Sequence, residues 1–513
     1  MSKLLPNFLN GQWQTGSGKG TSLYDPVLGT ELVRIDATGH DLGEAFQFAR
    51  ESGGKQLKAL TYRERGQLLK DILTVLKENK NEYYEISTAN SGTVKNDSAV
   101  DIEGGLFTLG YYAKMGDTLG DKSYLLDGEA LDLSRSSEFQ SQHIFTSRPG
   151  LALFINAFNF PCWGLWEKAA PALLSGVPVI VKPASSTAWL TQRMVKDVID
   201  SGILPVGSLS VICGSSAGLM DQLEAFDVVS FTGSAKTASI IRSHPAITEQ
   251  SVRANIEADS LNSALLLPEE TVKSSAFELM VKEVCREMTV KSGQKCTAIR
   301  RIFVPEEMYD STATAISARL ARTIVGNPRD ESVRMGAIVN STQYDDVVSG
   351  IETLKKCTDV LYDGSDCELI SVETNHCCLA PTLLGTKTPD TNTLIHDVEV
   401  FGPVATLIPY RDIDHAMELI KRGKGSLVTS LYGDTNETLT ALSIELASYH
   451  GRVHVISTDI AAEQTGHGNV MPQSIHGGPG RAGGGQELGS ERALHFYHQC
   501  SAIQASHSVL EHL

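Results

Sequence analysis

The chain has 513 residues, 41% hydrophobic and 20% charged, with a formal net charge of -17. That length exceeds one small core and implies two or three domains. The acidic balance, without a long basic run, argues against nucleic acid as the main partner, so any anionic ligand needs locally placed cations.

In chain order, the N-terminal stretch MSKLLPNFLNGQWQTGSGKG has no long apolar core and no cleavage signal, so secretion is not expected. Apolar runs such as GVPVIVKPA are too short and too interrupted to span a bilayer, and no membrane partner is expected. The first 125 residues read as mixed α/β, with helical apolar spacing in DLGEAFQFARESGGKQLKAL and RERGQLLKDILTVLKENKNEYYEI. Residues 126–147 are polar and alternating, and read as an extended hairpin that leaves the main body. A lone hairpin is barely stable in water, so a partner subunit is expected to cover it.

From residue 151 a regular alternation begins. LALFINAF, VPVIVKP, LSVICG, DVVSFTG and VRANIEA read as strands, separated by four helices, the third being the short segment AGLMDQLEAF. Strands that are nearly continuous apolar runs have both faces covered. The predicted fold class is therefore α/β with a doubly wound parallel sheet, whose ligands sit at the carboxyl ends of the strands. Polar residues gather at those ends: Asn156 and Asn159, Lys182 and Ser185, and Glu257. Gly233 and Ser234 open a helix, where free N–H groups suit phosphate.

After residue 260 a second α/β unit appears. SAFELMVKEVCREM sets Phe277, Met280, Val281, Val284 and Met288 on one helical face, with Cys285 beside that stripe and expected in the core. The helix is expected to end at Gly293, followed by Cys296 in a polar loop and the strand IFVP. A free thiol titrates near pH 8.5. Lys295, Arg300 and Arg301 are near in sequence and would favour the thiolate, whereas the helix C-terminus would oppose it. On these residues alone, Cys296 is either a nucleophile or an inert surface thiol. The nine cysteines are odd in number and irregularly spaced, without CxxC, which fits no disulfide framework and suits a reducing cytoplasm. His376, Cys377 and Cys378 lack a second ligand pair, so no metal site is expected.

The segments FNFPCWGLWEKAAPALLSG, VKPAS, FTGS, GQKC and EVFGPV, in this order, resemble the NAD(P)-dependent aldehyde dehydrogenase superfamily. NGQWQTG and QELGSERAL fit as well, so the resemblance covers almost the whole chain. It implies Cys296 as the thiol that attacks the aldehyde carbon, Asn159 and the Cys296 backbone N–H as oxyanion donors, and Glu257 as the base that activates water. It implies that Lys168 and Glu487 form a charged pair assisting proton movement. For the cofactor it implies Glu399 on the nicotinamide ribose, Phe401 near the nicotinamide and Lys182 on the adenosine ribose. Phe231, Thr232, Gly233, Ser234 and Ile155 would line the remainder of the cleft. The chemistry asks for these types: hydride leaves readily only from a covalent tetrahedral adduct, and a carboxylate beside the resulting thioester converts it to an acid.

The chain departs from the family pattern after the base, where Ala258 and Asp259 replace the usual glycine pair, and in the turn FTGSAKTA, where Ala238 replaces a glycine of many members. Both changes are expected to bring a methyl or carboxylate close to the cofactor cleft. With the segment MPQSIHGGPGRAGGGQELGSERALHFYHQ they resemble a branch that oxidises CoA-linked semialdehydes in aerobic benzoate breakdown. Ser185 stands where NAD-preferring members carry a glutamate, which implies NADP+ as the favoured cofactor and NAD+ as the weaker one. The presence of Glu257 implies release of a carboxylic acid rather than acyl transfer to free CoA. The other readings are a dehydrogenase of simple aliphatic or aromatic aldehydes, a cofactor-free thiol hydrolase, and a non-catalytic homologue. The expected organisation is a dinucleotide-binding domain over 1–125 and 148–258, a catalytic domain over 259–462, and an oligomerisation element from 126–147 and 487–513. A cytoplasmic homodimer is expected.

Overall fold

The structure, a computed structural model, describes residues 2–373 and 376–513. The predicted parallel sheet is present, with its strands in the order Arg253–Glu257, Val228–Thr232, Ala152–Ile155, Val179–Lys182 and Leu209–Val211. Asn7–Leu9 and Gln12–Gln14 extend it antiparallel from the N-terminus. Strands such as Ala152–Ile155 and Val179–Lys182 are buried at every residue, as expected where helices cover both faces. Their register sets Phe231 beside both Ile155 and Ile256, and Thr232 beside Glu257, so the polar strand ends converge. One expected helix is absent: within AGLMDQLEAF only the 3₁₀ turn Met220–Gln222 forms.

A second seven-stranded sheet runs Asp359–Asp363, Thr382–Gly385, Val404–Tyr410, Arg301–Pro305, Ser263–Leu266, Ser426–Tyr432 and His450–Ile456, parallel except for its first pair. Against it packs the helix Ser275–Thr289, started by the Ser274 hydroxyl accepting from the Phe277 N–H. Its predicted apolar face is buried, Cys285 included. The helix stops at Thr289, four residues before the expected Gly293. Lys291, Ser292 and Gly293 take φ values of 53°, 54° and 69°, a left-handed run that breaks the helical path.

The polar stretch near 126–147 forms strands Tyr124–Asp132 and Phe139–Ser147, and His498–Ser506 pairs beside them in a three-stranded antiparallel sheet. Leu126, Leu131, Leu133 and Phe139 are exposed on or beside it. A separate two-stranded ribbon, Ile475–Gly477 with Gln486–Leu488, sets His476 opposite Glu487. Among the described residues no helix is long and apolar enough to cross a membrane.

Candidate active site

The left-handed turn delivers Cys296 between the two large sheets. At Gly293 a side chain would lie 2.2 Å from the Gly402 carbonyl oxygen, so this position needs glycine for space as well as for φ. Asn262 Nδ2 donates to the Cys296 carbonyl at 2.8 Å, and Thr297 Oγ1 donates to the Gly468 carbonyl at 3.1 Å, which pins both sides of the thiol. Cys296 itself is partly buried rather than on the surface.

The nearby cations do not serve the thiol. Lys295 turns to Glu287 at 2.7 Å. Arg300 donates to the carbonyls of Gly402 and Gly293 at 2.7 and 2.8 Å. Arg301 donates to the Leu261 carbonyl at 3.0 Å and to Ile420 at 3.1 Å. These charges are spent on a buried carboxylate and on buried backbone oxygens, which corrects the expectation that they favour the thiolate. Burial, followed by the Glu257 carboxylate, holds the Cys296 thiol well above its ordinary range.

Asn159, Glu257 and Lys168 meet Cys296 around one small cavity, with Trp163 and Thr232 completing its wall. Asn159 is 7% exposed, and its Nδ2 has no hydrogen-bond partner. A buried amide without a partner costs free energy in the resting protein and is placed to receive an oxyanion. Glu257 ends the strand Arg253–Glu257, and its carboxylate oxygens lack a directed donor. Its carboxyl nonetheless falls to about 2: burial pushes it up, and His476, then Lys168, pull it down further.

Lys168 is fully enclosed between two carboxylates, Glu167 at 2.5 Å and Glu487 at 3.1 Å. Glu487 is fixed by Ser230 Oγ at 2.7 Å and Asn255 Nδ2 at 2.8 Å. Burial drives the Glu167 carboxyl well above its usual range against the pull of Lys168, whereas its two carboxylate neighbours and Glu257 raise Lys168 against burial. Such a group can hold one proton among three residues.

The cofactor candidates lie at the ends of neighbouring strands and in the loops beside them. Ile155 and Phe231 are buried in adjacent strands, and the buried Thr232 hydroxyl has no partner. Ser234 caps the helix Ala235–Arg242 by accepting from the Thr237 N–H. Lys182 is buried and its ammonium lowered by that burial, while Ser185 beyond it is exposed. Glu399, raised to about 7 by burial against the pull of Arg300, accepts from the Ser260 N–H at 3.3 Å. Phe401 packs edge-on against Phe158, with ring centroids 5.7 Å apart. An unpartnered hydroxyl and an exposed serine beside a buried lysine suit a dinucleotide, whereas the N-terminus of the helix Ala235–Arg242 is already occupied by the Ser234 hydroxyl and the Asp259 carboxylate. Of the departures, Asp259 accepts from the Ala235 N–H at 3.0 Å, at the start of the helix that follows Gly233 and Ser234, and meets Arg481 at 3.3 Å. Ala238, by contrast, is fully enclosed in the core under its helix, so no methyl enters the cleft there.

The sequence pattern described as "Aldehyde dehydrogenase family" matches residues 13–503. The chain belongs to the aldehyde dehydrogenase family. It is 48% identical over 478 residues, 93% of each chain, to 3,4-dehydroadipyl-CoA semialdehyde dehydrogenase of Aromatoleum evansii. Chicken (Gallus gallus) retinal dehydrogenase 2 is 25% identical over 507 residues, covering 97% of this chain and 90% of that one. Among solved folds, 3,6-anhydro-L-galactose dehydrogenase in complex with NAP superposes at a TM-score of 0.85 with 22% identity, covering 98% of this chain and 100% of that one. Betaine aldehyde dehydrogenase of Staphylococcus aureus in complex with NAD+ gives 0.85 with 20% identity, over 98% and 95%.

Next to the thiol of this aldehyde dehydrogenase lies a cavity of about 400 Å³, lined by Phe107, Phe160, Trp163, Val470 and Met471, with the exposed Arg286 on its wall. The sequence reading missed two residues of the site, Glu167 and His476. Glu167 is a charge inside a helix buried at every residue, a signal that was available. His476 lies in a glycine-rich stretch without periodicity. It is 3% exposed, and its Nε2 lies 2.8 Å from Glu257 Oε2. The donor atoms of Glu257, Cys296 and His476 all fall within 4.8 Å of one another, the one such trio among the described residues; His376, Cys377 and Cys378 belong to none.

Proposed function

We propose that this aldehyde dehydrogenase oxidises a CoA-linked semialdehyde, 3,4-dehydroadipyl-CoA semialdehyde, to its carboxylic acid, with NADP+ preferred over NAD+. The observation that carries the reading is the convergence of a thiol, an unpartnered amide and a buried carboxylate around one small cavity. The 48% identical relative supports the substrate. Lys182, Ser185, Thr232, Glu399 and Phe401 would hold the cofactor, which would supply the hydride acceptor.

The chain's own residues account for the rest. Cys296 Sγ gives up its proton to solvent water and attacks the aldehyde carbon, forming a tetrahedral thiohemiacetal alkoxide, which leaves Glu257 ionised for the later step. The oxyanion forms toward Asn159 Nδ2, a donor worth about 2.7–4 kcal/mol in such positions. After oxidation the acyl group is a Cys296 thioester. Glu257 then takes a proton from water, whose oxygen bonds to the acyl carbon as sulfur leaves. Lys168, Glu167 and Glu487 relay the proton outward. CoA stays at the far end as a handle, with Arg286 available to its anionic groups. The apolar lining from Phe107, Phe160 and Trp163 favours one second reading, oxidation of simple aliphatic or aromatic aldehydes.

A panel of aldehydes with and without the CoA handle, assayed with both cofactors, tests these points. Equal kcat/KM for the CoA-linked and handle-free aldehydes would reject the substrate. A tenfold preference for NAD+ would reject the role of Ser185. A new thioester made from added CoA, without free acid, would reject hydrolysis. We also propose a cytoplasmic homodimer joined through the three-stranded sheet; a monomer by sedimentation at micromolar concentration would remove that assignment.

A further inference from the structure

We propose that His476 is a positioning residue for the general base, anchoring one oxygen of Glu257 at the edge of the small cavity. The ribbon Ile475–Gly477 with Gln486–Leu488 pairs His476 directly opposite Glu487, and antiparallel partners project to the same face. One ribbon therefore presents Glu487 to Lys168 and His476 to Glu257. The imidazole packs edge-on against Trp163, ring centroids 5.3 Å apart, which fixes its plane.

At 2.8 Å the tautomer with its hydrogen on Nε2 is the one that meets the carboxylate without lone-pair repulsion. The approach is skewed from a directed hydrogen bond, a close polar contact that holds Oε2 in place. Oε1 has no partner and remains for the attacking water. An aromatic filler would supply the contact with Trp163 but not the proton.

The charged and titratable groups around the pair are few. The helix Trp163–Leu174 contributes Lys168 and Glu167, the thiol loop contributes Cys296, and the ribbon contributes Glu487; Glu399 stands behind the thiol. Lys168 is already shared between Glu167 and Glu487. Without His476, burial dominates at Glu257 and its carboxyl rises. The base then protonates as pH falls, so the lost activity lies on the acid side.

This inference rests on Glu257 being the hydrolytic base. The assay is cleavage of an activated ester without cofactor: the burst reports acylation of Cys296, and the steady state reports deacylation. His476→Phe keeps the ring against Trp163. It is expected to keep its burst within twofold of wild type, to lose at least tenfold in steady-state rate at pH 6, and to recover to within about threefold at pH 9. His476→Gln, which restores an N–H without the imidazole ring, should fall between the two. A His476→Phe profile that superimposes on wild type from pH 5 to 9, or a burst and steady state that fall together at every pH, would overturn the proposal. Glu257→Gln separates the two claims. If it retains steady-state turnover, the base assignment fails; if it abolishes turnover while His476→Phe is silent, only the role of His476 fails.

Discussion

Asn159→Ala tests the oxyanion assignment with little structural confusion. Asn159 Nδ2 is buried and donates to nothing in the resting protein, so truncation breaks no side-chain hydrogen bond from that nitrogen. Removing an unsatisfied donor also removes its desolvation penalty, which offsets the lost packing, and stability should change by no more than about 1 kcal/mol. In the transition state the same amide faces a developing negative charge in a cavity walled by Trp163 and Phe160, where a donor contributes about 2.7–4 kcal/mol. At 1.36 kcal/mol per decade this predicts a fall in kcat/KM of about 10²–10³-fold. Both aldehyde oxidation and the ester burst should fall by that factor, with the melting temperature nearly unchanged. A loss below fivefold with intact folding would refute the argument. A loss accompanied by a large drop in melting temperature would show that Asn159 holds the strand end rather than the oxyanion.

Three further predictions concern the same site. Lys168→Met leaves Glu167 and Glu487 buried without their cation, and should destabilise the protein by about 3–5 kcal/mol, measured by denaturant unfolding; a change under 1 kcal/mol would show that the trio is already neutral. Because the Cys296 thiol is raised, its alkylation in the cofactor-free enzyme should keep rising with pH beyond 9, and a plateau near pH 7 would contradict the influence of Glu257. Ser185→Glu, at an exposed position beside Lys182, should reverse the cofactor ratio toward NAD+ by at least tenfold in kcat/KM, and an unchanged ratio would place the 2′-phosphate elsewhere.

The parallel sheet was legible because strands enclosed on both faces must be apolar throughout, as in VPVIVKP, and because their ends must be polar. The same reasoning located Asn159, Lys182 and Glu257. It failed for AGLMDQLEAF, where the apolar spacing was present but only one short turn formed. The cations around Cys296 misled because sequence proximity says nothing about direction: Arg300 and Arg301 point into carbonyl clusters. The partner of Glu167 was hidden for a related reason. Neighbours on a helix diverge by about 100°, so Glu167 and Lys168 gave no sign of a pair until Glu487 drew the ammonium between them. His476 depended on a strand pairing that its glycine-rich surroundings do not announce.

Arg300 donates to the carbonyls of Gly293 and Gly402 at once, and its guanidinium also lies 5.5 Å from the centre of the Phe401 ring. Gly293 lies three residues before Cys296, and Gly402 directly follows Phe401. One side chain thus rivets the two loops together, so the backbone leading to the sulfur and the backbone after Phe401 cannot move apart without breaking its hydrogen bonds.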